Sequence, residues 1–195
     1  MKRFVLPICL LLFVAACSKN NTGPADQEIQ NPVGLNATII ASGLSFPWEV
    51  VYGPDQQIWF TQRGGKISKL NIQTKTVTTI FTIPDVTATG EGGLLGMTLH
   101  PDFQANPFVY VVYDYLQNGV YKEKVVRYTY NGTTLTSPSI LIDQIPANGN
   151  HNGSRLMISA DRKLFVTTGD AGVAANAQSL SSLSGKVLRL NLDGT

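Results

Sequence analysis

Pro54-Asp55-Gln56-Gln57-Ile58-Trp59-Phe60-Thr61 returns later in the chain as Ala160-Asp161-Arg162-Lys163-Leu164-Phe165-Val166-Thr167. Each copy is a polar turn that runs into a strand of β-branched and aromatic residues. In the same way Gly65-Lys66-Ile67-Ser68-Lys69-Leu70-Asn71 is matched by Gly185-Lys186-Val187-Leu188-Arg189-Leu190-Asn191. A third element, Pro101-Asp102-Phe103, stands before the apolar run Phe108 to Tyr115. The aspartates at 55, 102 and 161 are 47 and 59 residues apart, close to the roughly 40–50 residues of a four-stranded propeller blade. Each such turn is expected to join two antiparallel strands of one blade. A β-sandwich is the alternative architecture, but it does not call for this echo. The expectation is an all-β chain, a β-propeller with about three blades present.

Working outward, nothing after residue 33 sustains apolar spacing of three and four. Strands are expected at 57–61, 66–70, 76–83, 108–115, 124–130, 164–168 and 186–191. Asn131-Gly132 carries the strongest type I′ hairpin signal, because both central positions need positive φ, and Gln117-Asn118-Gly119 marks another turn. Trp48, Trp59 and the tyrosines read as aromatics that pack between blades. Closed propellers take four to eight blades, and Asn191-Leu192-Asp193-Gly194-Thr195 reads as a turn without its returning strand. The expectation is therefore a truncated domain.

The chain has 195 residues, 43% hydrophobic and 14% charged, which suits an ordered globular protein. A net charge of +2 with interspersed signs gives no footing for nucleic acid. Both cysteines, Cys9 and Cys17, lie in the first seventeen residues, so no disulfide and no cysteine metal site is expected in the body. Lys2 and Arg3 precede an apolar run, Phe4 to Ala16, too short to span a bilayer. It ends in Val14-Ala15-Ala16-Cys17, which resembles the lipobox of bacterial lipoproteins. Residues 1–16 are expected to be a signal peptide, Cys17 the lipidated residue, 17–32 a flexible tether and 33–195 the propeller domain. The protein is then exported and membrane-anchored, facing the periplasm or cell surface. An ordinary secretory signal with an incidental Cys17 is the other reading.

Four ordered stretches resemble the soluble, quinone-dependent glucose/sorbosone dehydrogenases. They are Gly43-Leu44-Ser45-Phe46-Pro47-Trp48 with Arg63-Gly64-Gly65; Gly90-Glu91-Gly92-Gly93-Leu94-Leu95-Gly96 with His100-Pro101-Asp102-Phe103; His151-Asn152-Gly153-Ser154-Arg155-Leu156 with Gly169-Asp170; and Ala177-Gln178-Ser179-Leu180 with Ser184 to Leu190. The resemblance implies a six-bladed propeller that binds pyrroloquinoline quinone (PQQ) and oxidises an aldose at its anomeric carbon to the lactone. It also implies that His151 takes the sugar proton, that Asp170 fixes its imidazole, and that Glu91 lies at a polar contact to the quinone. The quinone's basic clamp and the calcium ligands of that family are expected in the C-terminal half, so residues 33–195 alone are expected to bind PQQ weakly and to be inactive. The electron acceptor stays unassigned.

The residues themselves fit such chemistry. Removing a hydroxyl proton as hydride leaves needs a base that works near neutral pH, and histidine titrates there. Read without the resemblance, His151 is equally a solvated loop histidine, Asp170 a turn residue, and Gly90–Gly96 a tight turn between strands. His100, beside Pro101-Asp102, reads as a turn or packing residue, and Arg155 as a charge near the site. The phosphate-loop pattern is absent. A non-catalytic propeller that binds a sugar or protein partner is the alternative function. A hydrolase is weaker, since no paired carboxylates or metal ligands stand out.

Overall fold

The computed structural model describes Gly34 and residues 36–195. The expected signal peptide and tether, with Cys17, lie outside the described residues. Among the described residues eleven strands form three antiparallel sheets. The first holds β1 (Pro47–Tyr52), β2 (Gln57–Gln62), β3 (Lys66–Asn71) and β4 (Thr76–Thr82); the second holds β5 (Leu94–Leu99), β6 (Phe108–Gln117), β7 (Val120–Tyr130) and β8 (Leu135–Pro146); the third holds β9 (Gly153–Ile158), β10 (Lys163–Thr168) and β11 (Val187–Asn191). Each sheet is paired in chain order, so it is a simple meander. The first strands lie together, with β5 packed against both β1 and β9. That is the arrangement of propeller blades around an axis.

The echo has a physical counterpart. The turn aspartates of the first and third sheets join the first two strands and reach the basic residue on the third: Asp55 pairs with Lys69 at 2.7 Å and Asp161 with Arg189 at 2.9 Å. The residue after each aspartate, Gln56 or Arg162, has a φ near +58°, at 59° and 57°. The repeat is thus one turn-to-third-strand clasp used twice.

The middle sheet is covered on both faces, which explains the apolar run Phe108–Tyr113 in β6. Val109, Val111 and Tyr113 join Trp59, Ile67 and Ile80 in a core against the first sheet. Tyr110 and Val112 join Leu156, Leu164 and Val166 in a second core against the third sheet. Trp59 is fully buried, edge-on to Phe103 at 5.6 Å and to Tyr130 at 5.0 Å, and its Nε1 donates to Asp55 at 3.0 Å. Trp59→Ala is expected to cost about 3–5 kcal/mol, read as a fall in the urea midpoint; a midpoint within error of the parent value would contradict this packing.

Two expectations are corrected. The type I′ turn is at Asn118-Gly119, where φ is 52° and 77° and Gln117 pairs directly with Val120. At Asn131-Gly132 only the glycine has positive φ, because Asn131 Oδ1 accepts the N–H groups of Thr133 and Thr134 and closes a longer loop. Trp48 and Tyr52 are exposed at 41% and 65%, since on β1 it is Glu49 and Val51 that turn inward. Strands β1, β5, β8 and β9 were not among the expected strands.

Candidate functional site

Three connections converge at one end of the sheets: 83–93 leading into β5, 147–152 leading into β9, and 169–186 following β10. They carry Glu91, His151 and Asp170, and the structure brings all three together. The Gly90–Gly96 stretch is no tight turn between strands of one sheet; it links the first sheet to the second and enters β5.

His151 sits in the left-handed region at φ 58°. Such a conformation costs on the order of 1–3 kcal/mol for a non-glycine residue. Three hydrogen bonds hold it there. Its N–H donates to Glu91 Oε2 at 3.1 Å, its C=O accepts from Ala171 N–H at 3.1 Å, and its ring Nδ1 meets Asp170 Oδ1 at 3.1 Å. Glu91 is itself fastened, its N–H donating to Gly149 O at 2.7 Å. The neighbouring Asn152 O accepts from Gly169 N–H at 2.7 Å. The two loops run so close there that a Cβ on Gly169 would lie 1.7 Å from the His151 carbonyl oxygen. Only glycine fits at this crossing.

Asp170 Oδ1 also accepts the Gly172 N–H at 2.9 Å. That bond first, and the His151 contact second, hold its carboxyl below the ordinary carboxylate range. An ionised Asp170 places the imidazole proton on Nδ1 and leaves the lone pair on Nε2. The His151 side chain is 59% exposed, so Nε2 is open to a small molecule. The arrangement is a base with its orienting carboxylate.

Arg155 turns away from this pair and forms an ion pair with the buried Glu49 on β1. Arg63 Nη1 donates to Gly90 O, and its guanidinium lies 4.3 Å from the Phe46 ring centroid. His100 is buried, accepts the Asp102 N–H on Nδ1 at 3.1 Å and packs edge-on to Phe108, a turn residue as expected. Among the described residues no group of three or more His, Cys, Asp or Glu is placed to hold a metal ion.

Beneath the loops lies a layer that the sequence reading missed. Asn152 donates from Nδ2 to Asp114 Oδ2 at 2.8 Å and to Asn148 O at 2.7 Å, while its Oδ1 accepts the Asn148 N–H at 2.9 Å. Asp114 Oδ2 also accepts the Gly93 N–H at 3.1 Å. Ser154 Oγ donates to Glu123 Oε1. One signal was available: an acid set inside the apolar run of β6 must be held by partners when buried.

Residues 44–195 match the family described as Glucose / Sorbosone dehydrogenase. The chain is 35% identical over 193 residues to quinoprotein glucose dehydrogenase B of Acinetobacter calcoaceticus, covering 80% of this chain and 39% of that protein. It superposes on the PQQ-bound aldose sugar dehydrogenase of Streptomyces coelicolor with a TM-score of 0.74 at 31% identity, over 80% of this chain and 47% of that one. The apo-form of the soluble aldose sugar dehydrogenase of Escherichia coli gives 0.72 at 30%, over 77% and 45%. The chain spans less than half the length of each of these relatives.

Proposed function

This chain belongs to the glucose/sorbosone dehydrogenase family, and on that premise we propose that it supplies the proton-abstracting side of a PQQ-dependent aldose dehydrogenase. The observation that carries the reading is the His151–Asp170 pair, 3.1 Å apart and open to solvent on its Nε2 side. An aldose whose anomeric hydroxyl meets Nε2 gives its proton to that nitrogen. The hydrogen on the same carbon leaves with its electron pair, and the C–O bond becomes the carbonyl of the lactone. Asp170 stabilises the imidazolium formed in this step. When bound, the quinone supplies the acceptor for the hydride and both electrons.

The residues present fit one part of that cofactor. Glu91 keeps Oε1 for a polar contact while Oε2 holds the His151 N–H. The guanidiniums of Arg63 and Arg155 are engaged by Gly90 O and Glu49. The basic clamp for the quinone's carboxylates and the calcium ligands belong, on the resemblance, to the C-terminal half of the family's fold. A six-bladed propeller, a signal peptide over 1–16, a lipid on Cys17 and a membrane-anchored location facing the periplasm or cell surface complete the proposal. The six blades rest on the resemblance, and the rest on the sequence pattern of the N-terminus. No helix among the described residues is long and apolar enough to cross a membrane.

The test is dye reduction, after incubation with PQQ and across a panel of aldoses, by this chain together with the C-terminal half that the resemblance implies. Aldose-dependent reduction that requires PQQ supports the enzyme. Quinone or sugar binding without reduction points to the non-catalytic propeller and ends the enzyme reading.

A further inference from the structure

We propose that Asp114 and Glu123 are positioning residues for His151: two buried carboxyl groups that brace the chain on either side of Gly153 and so hold His151 against Asp170. The inference rests on the reading of His151 as the base. The two acids are direct cross-strand partners on β6 and β7, so their side chains share one face of the middle sheet. It is the face of Tyr110, Val112 and Val125, which packs against the third sheet. Both acids are about 1% exposed. Asp114 binds the side chain of Asn152, the residue next to His151; Glu123 binds the hydroxyl of Ser154. Asn152 and Ser154 are buried too, at 4% and 0%.

The brace reaches further than one loop. Asp114 Oδ2 takes the Gly93 N–H together with Asn152 Nδ2, so one oxygen ties the Glu91 connection to the His151 connection. Through its amide and its backbone carbonyl, Asn152 holds the N–H groups of Asn148 and Gly169. Removing Asp114 thus frees all three connections that build the site. Burying two acids side by side is costly, and an apolar pair would serve the core better. Each acid instead spends its burial on a residue flanking Gly153.

Amide hydrogen exchange in this chain reads the brace without any cofactor. In Asp114→Ala the amides of Gly93, Asn148 and Gly169 are expected to exchange at least tenfold faster, while the β3–β4 ladder keeps its rate. Asp114→Asn, which retains an acceptor oxygen, should restore them. Should Asp114→Ala not fold, Asn152→Ala is expected to speed exchange at Asn148 in the same way. In this chain joined to the C-terminal half that the resemblance implies, with PQQ and an aldose supplied, Asp114→Ala should lower kcat while leaving the sugar KM nearly unchanged. Unchanged exchange at the three amides, or an equal acceleration in the β3–β4 ladder, overturns the proposal. If the exchange pattern appears but His151→Asn leaves aldose oxidation intact, the brace stands and the base assignment falls.

Discussion

In this chain joined to the C-terminal half that the resemblance implies, His151→Asn is expected to lower PQQ-dependent aldose oxidation by about 10²–10⁴-fold, the range that general-base removal produces, with little change in the sugar KM. Asparagine is the informative replacement because it tolerates the left-handed backbone that His151 adopts at φ 58°. Alanine at that φ adds strain and confuses a chemical loss with a structural one. The backbone bonds to Glu91 and Ala171 do not use the imidazole, so the loop keeps its course. Asparagine has no basic nitrogen, so only proton abstraction is withdrawn. Near-ultraviolet circular dichroism should match the parent protein, and initial rates over a range of aldose concentrations give kcat and KM. A variant that keeps its rate within threefold removes His151 from the chemistry.

Much of this site was legible in sequence because its parts are local. His151, Asp170 and Glu91 each belong to a short motif of the resemblance, and the strand expected at 164–168 ends two residues before Asp170. The structure brings them together, at 3.1 Å for both His151 contacts. The blade repeat was legible for the same reason, since the turn aspartate and its third-strand cation lie in one meander. What escaped was set by neighbours distant in sequence. β8 was hidden by its irregularity: it carries Pro138 and three register breaks against β7, with φ of 51° at Ser137 and 60° at Gln144. The hairpin at Asn118-Gly119 lost to Asn131-Gly132 in a reading by residue type, because the Asn131 side chain caps its own loop. Asp114 and Glu123 were invisible as site residues because nothing near them in sequence says that β9 will arrive above them with Asn152 and Ser154.

The protein should lose stability as pH rises from about 5 to 8, and Asp114→Asn should remove the share of that loss that belongs to Asp114. Burial raises the Asp114 carboxyl from 3.8 to about 7, outweighing the Gly93 N–H that favours the charged form. Glu123 is pushed well above the carboxylate range by its own burial, against the Ser154 bond, with Asp114 opposite adding repulsion. The titratable group facing each acid is the other acid. Neither belongs to a salt bridge among the described residues. One oxygen of each, Asp114 Oδ1 and Glu123 Oε2, is buried without a hydrogen-bond partner among the described residues, which favours a proton there. A folded-state pKa above the unfolded one means that the folded chain holds the extra proton through this window. Stability is then fully present below the unfolded value near 4 and is lost as pH passes the folded value. For Asp114 alone, a rise from 3.8 to about 7 corresponds to on the order of 4 kcal/mol between those limits. Asparagine keeps an acceptor for Gly93 and Asn152 and cannot ionise, so the urea midpoint of this variant should fall less steeply than that of the parent protein from pH 5 to 8, the remaining fall being due to Glu123. A parent midpoint that is flat from pH 5 to 8 means that Asp114 titrates in its ordinary range, and the buried, uncharged carboxyl inferred beneath His151 is then wrong.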